Sequence, residues 1–114
     1  MKRFSAVAVF VMLAGVAAFA QDAKKVADGQ AAYTTYKCGT CHMVKGAGGK
    51  MASSLDGVGT KLKAEDIKKW MTDPVAMEAK LDKKPKMLMS TNLKTKKITP
   101  AEIDAITAYL GTLK

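Results

Sequence analysis

The only histidine and the only two cysteines of the chain fall within five consecutive positions, Cys38-Gly39-Thr40-Cys41-His42. Any chemistry of thiol or imidazole is therefore centred on this segment. A disulfide between Cys38 and Cys41 would close a very small loop, add little stability and leave His42 without a role. A C-x-x-C redox pair belongs beside a βαβ pattern, and the sequence shows no strand to build one. A structural zinc ion needs four ligands, and the chain offers three of cysteine or histidine type. A C-x-x-C-H segment is also the attachment signature of a covalent haem, and that reading uses all three residues. Two thiols three positions apart lie almost one helical turn apart, within reach of vinyl groups on adjacent pyrroles. The residue after the second thiol then turns its imidazole to the iron. The expected cofactor is one haem c with its iron, held through Cys38 and Cys41 and ligated by His42.

The start of the chain has a different task. Lys2 and Arg3 precede an apolar run from Ala6 to Ala20 that ends Ala18-Phe19-Ala20. This is the charged, apolar, small-residue layout of a secretory signal peptide, with cleavage expected after Ala20. The run is short for a membrane anchor, which needs ~20 apolar residues, and nothing later could span a bilayer. The expected organisation is a signal peptide over 1–20 and one domain over 21–114, exported to the periplasm as a soluble monomer. So short a domain buries a modest core and gains from a staple such as a cofactor.

The net charge of the chain is +9, and its one arginine, Arg3, lies in the leader. Lysine suits diffuse electrostatic steering, whereas bidentate base or phosphate readout favours arginine. With export, this points away from nucleic acid and toward partner proteins with acidic docking faces.

Three helices are predicted around the motif. Asp22 to Tyr36 places Val26, Gly29, Tyr33 and Tyr36 on one face. Gly29 weakens a helix, and close approach of another helix supplies a reason for it. Residues 46–59 read as a glycine-rich loop. A short helix over 63–71 offers Leu62, Ile67, Trp70 and Met71 for burial and stops at Asp73-Pro74. Residues 75–98 show no convincing period and read as loop. Thr99-Pro100-Ala101-Glu102 is a capping box with proline at the first helical position, followed by Ile103, Ile106, Leu110 and Leu113 at helical spacing. The expected fold class is all-α, with three to four helices and long loops wrapped around one haem.

These features together resemble class I, single-haem cytochromes c of the exported bacterial type. The resemblance is carried by Gly29 and Tyr33 in the first helix, C-G-T-C-H at 38–42 and L-D-G-V-G at 55–59. Trp70 ahead of Asp73-Pro74, a methionine after Lys86 and A-I-T-A-Y-L at 105–110 complete it. It implies that Gly29 and Tyr33 pack against the Tyr109-Leu110 face of the last helix. It also implies that His42 donates its second ring N–H to a backbone carbonyl near Ser53. Trp70 and the tyrosines are open to either haem propionates or simple core burial.

Methionine is the usual sixth ligand in that family. Met43, Met51, Met71, Met77, Met87 and Met89 follow the leader. Met87, in Pro85-Lys86-Met87, occupies the expected ligand loop. Met89 is the alternative, since Leu88 stands where the family commonly has proline and the gap to the last helix is long. An iron held on both sides suits electron transfer between redox proteins, not catalysis, so an enzyme is not expected. Lys83, Lys84, Lys86, Lys94, Lys96 and Lys97 would ring the docking face. The competing reading is a haem protein that binds a gas or peroxide at a weak sixth position.

Overall fold

Residues 22–35 form a helix (α1) that turns Gly29, Ala32 and Tyr33 to one side. The partner is the last helix, Pro100–Gly111 (α6). A Cβ added at Gly29 would stand 1.9 Å from the Ala105 carbonyl oxygen and 2.9 Å from Tyr109 Cβ. The two helices thus meet backbone to backbone, and only glycine fits at the crossing. Beside it the rings of Tyr33 and Tyr109 meet edge to face, centroids 5.6 Å apart. The packing expected of Gly29 and Tyr33 is present.

The computed structural model describes residues 22–114; the signal peptide expected over 1–20 lies outside them. A 3-10 turn, Cys38–Thr40, follows α1. Then come β1 (Met43–Val44), β2 (Ala47–Gly48), α2 (Val58–Lys61), α3 (Ala64–Thr72), α4 (Pro74–Glu78) and α5 (Met89–Leu93), before α6. The core joins Ala32 and Tyr33 of α1, Val58 of α2, Ile67 of α3, Ile106 and Leu110 of α6, and Leu113. Ile106 at 1% exposure is its centre. Leu62 and Met71 pack against this cluster, whereas Trp70 is half-buried outside it.

Two expectations of loop need revision. Within 46–59, Ala47–Gly48 pairs antiparallel with Met43–Val44. The hairpin turns on Lys45 and Gly46, both at positive φ, as tight hairpin turns require. Two-residue strands add no sheet layer, so the class remains all-α. Within 75–98 lie α4 and α5, and the described residues hold six helices in place of three to four. The additional ones are single turns of four or five residues, too short to show a period. Asp73 accepts from the Ala76 amide at 3.3 Å and Pro74 opens α4, so the halt after α3 is also a new start.

The start of α6 is as the sequence predicts. Thr99 Oγ1 accepts from the Glu102 amide at 3.2 Å, and Glu102 accepts from the Thr99 amide at 3.3 Å. Glu102 also accepts from the Tyr36 hydroxyl at 2.9 Å, tying the end of α1 to the start of α6.

Candidate functional site

Cys38, Cys41 and His42 are brought together in one turn because the chain leaves α1 through Lys37 at φ 55. The amides of Cys41 and His42 both donate to the Cys38 carbonyl, at 3.3 and 3.1 Å. Cys38 and Cys41 are half-buried and not joined in a disulfide. Burial pushes the Cys38 thiol up, with the nearby Lys96 charge opposing.

The segment after the hairpin folds back as a brace. The amides of Gly49, Ala52 and Leu55 donate to the carbonyls of Gly39, Cys41 and Met43 at 2.8 to 2.9 Å. A Cβ at Gly49 would stand 1.8 Å from the Thr40 carbonyl oxygen, so this approach needs glycine. The brace delivers the Ser53 carbonyl to His42 Nδ1 at 2.7 Å. A carbonyl only accepts, so Nδ1 carries the proton and Nε2 is left as the ring's lone-pair nitrogen. That is the tautomer a metal ligand needs, with a carbonyl orienting it from behind.

The competing uses of the motif lack parts. Among the described residues no group of three His, Cys, Asp or Glu side chains could hold a metal ion, so zinc has no ligand set. No strand among them exceeds two residues, so the setting of a thioredoxin-type pair is missing too.

A family model described as Cytochrome c matches residues 26–114. The chain belongs to the cytochrome c family. No curated protein and no solved structure is similar enough to match. Membership means a covalently bound c-type haem with its iron, and a chemistry of haem-based electron transfer with redox partner proteins. Two features of the cytochrome fit that group. One is the His42 tautomer. The other is the Tyr33 hydroxyl, buried without a hydrogen-bond partner among the described residues. It lies 3.9 Å from where a Cβ on Gly39 would stand, in the turn that holds Cys38, Cys41 and His42. Burial first, then the charges of Cys38 and Tyr109, push its pKa up to about 12.

Met43 directly follows His42 in β1, and the other methionines lie farther along the chain. Met87 is 48% exposed and closes an exposed, irregular stretch from Leu81. Met89 is half-buried and opens α5. Met77 is buried in α4, Met71 packs on the core and Met51 is exposed. Sequence reasoning missed Glu78, buried at 5% exposure, whose carboxylate accepts from Ser90 beside Met89. A lone glutamate among lysines carries no signal that it turns inward. Lys96, expected on the docking face, instead donates to the Tyr36 carbonyl at 2.6 Å.

Proposed function

We propose that this cytochrome is a soluble periplasmic carrier shuttling single electrons between redox proteins. In this reading Cys38 and Cys41 bind the haem as thioethers, and His42 and a methionine are the axial ligands. The observation that carries it is the His42–Ser53 contact, which orients the imidazole and holds its proton on the nitrogen away from the metal. The haem supplies the one-electron couple. The chain keeps His42 in one orientation and fills the second axial position with sulfur. With both positions filled, a change of oxidation state needs little rearrangement.

Met87 is the sulfur that the Pro85-Lys86-Met87 segment favours. Met89 is supported by burial and by the fixed position of its neighbours. The optical spectrum of the ferric protein decides. A far-red charge-transfer band reporting sulfur–iron ligation should vanish in only one of Met87→Ala and Met89→Ala.

Lys83, Lys84, Lys86, Lys94 and Lys97 are exposed around this segment and suit an acidic docking face. Electron exchange with an acidic partner should then slow steeply with salt. No described helix is long and apolar enough to cross a membrane. The exposure of Met87 favours one other reading, a gas- or peroxide-binding haem with a weak sixth ligand. Rapid carbon monoxide binding to the reduced protein at neutral pH would establish it.

A further inference from the structure

We propose that Glu78 is a positioning residue for the axial methionine, its buried carboxylate latching α4 to the sulfur-bearing segment through Ser90. The inference rests on the reading that Met87 or Met89 coordinates the iron. Glu78 Oε1 accepts from the Ser90 backbone amide at 2.7 Å, and Oε2 accepts from the Ser90 hydroxyl at 2.8 Å. A carboxylate is costly to bury unless it is hydrogen-bonded, and these two contacts meet that need.

Little else fixes this segment from the side of α4. Residues 81–87 are exposed throughout, and α5 contains no buried residue. Between α4 and α5 lies a cleft of about 310 Å³ lined by Val75, Glu78, Ala79, Lys84, Leu88 and Ser90. The junction is therefore held by directed bonds more than by close apolar packing. On the other flank of Met89, the Leu88 carbonyl accepts from the Asn92 side chain at 3.0 Å and from its amide at 3.3 Å. Both neighbours of Met89 are thus tethered, one within α5 and one across to α4. A thioether is a neutral, weakly held ligand, and such a ligand persists only when its backbone is already in place. Glu78 supplies that placement without touching the iron.

The test uses the ferric holoprotein and reads the sixth position directly. The far-red charge-transfer band and the affinity for added imidazole, which competes with the methionine, are measured in Glu78→Leu, Glu78→Gln and Ser90→Ala. Global stability to denaturant is followed in parallel. Glu78→Leu should lose most of the band and bind imidazole at least about tenfold more tightly. Ser90→Ala, which keeps the amide contact, should fall between it and the wild type. Glu78→Gln retains an acceptor for the amide and a donor for the hydroxyl, and should restore near wild-type behaviour. If Glu78→Leu does not accumulate, Ser90→Ala reads the same quantity. A band and an imidazole affinity unchanged in Glu78→Leu and Ser90→Ala, with only global stability lowered, would overturn the inference alone. Absence of the band from the wild type, or its survival in both methionine variants, would overturn the coordination reading and this inference with it.

Discussion

His42 donates through Nδ1 to the main-chain carbonyl of Ser53 at 2.7 Å, so the side chain of residue 53 takes no part in orienting the ring. Ser53→Ala should leave the reduction potential unchanged in a redox titration. A clear shift would mean that the ring is oriented by something other than this carbonyl.

Gly29→Ala should destabilise the protein, although alanine is the better helix former by ~1 kcal/mol. The added methyl would stand 1.9 Å from the Ala105 carbonyl oxygen and force α1 from α6. A loss of about 1–3 kcal/mol is expected, as for overpacked cores. Denaturant titration of the holoprotein measures it, and a gain in stability would deny the close crossing.

Tyr33 should give the protein an alkaline limb. Its folded pKa is raised to about 12, mainly by burial, above the ordinary value of about 10. The native state therefore holds the phenolic proton more tightly than the unfolded chain does. The resulting stability is complete below pH ~10 and is lost as pH rises through about 12. The stability difference between wild type and Tyr33→Phe should be flat up to that window and then move against the wild type. A flat difference throughout would show that the hydroxyl is hydrated in the fold.

Glu102 should mark the acid side. The Thr99 hydroxyl first, then Tyr36, hold its carboxyl below the usual carboxylate range. Its contribution is present above the ordinary value of ~4.3 and is lost as pH falls through the lower folded value. Tyr36 is raised in turn by the same bond to Glu102, so the link also fails in strong alkali. Glu102→Gln should be less stable than wild type near neutrality and converge with it in acid. Thr99→Ala should cost about 1 kcal/mol as a lost cap. Thermal melts over a pH series check both.

The parts of this fold that were legible in the sequence are those where one residue type has one physical use. Gly29 needed a neighbour, Thr99 and Glu102 needed each other, and Cys38, Cys41 and His42 shared one explanation. What escaped was short or held from a distance. The strands at Met43–Val44 and Ala47–Gly48 are below the length at which alternation shows. Five-residue helices such as α4 and α5 barely exceed a turn, and their stability comes from Asp73, Glu78 and Asn92 bonds that periodicity does not encode. The sequence favoured Met87 over Met89 only narrowly, and spacing does not reveal that Ser90 and Leu88 are tethered.

The central claim is a haem fixed through thioethers at Cys38 and Cys41 in the turn ahead of His42. Intact mass of the protein, matured in a host competent to attach haem, tests it most directly. The account predicts the polypeptide plus one haem, with the Soret absorbance staying on the protein through acid-acetone extraction. The bare polypeptide mass, or haem passing into the solvent, would contradict it.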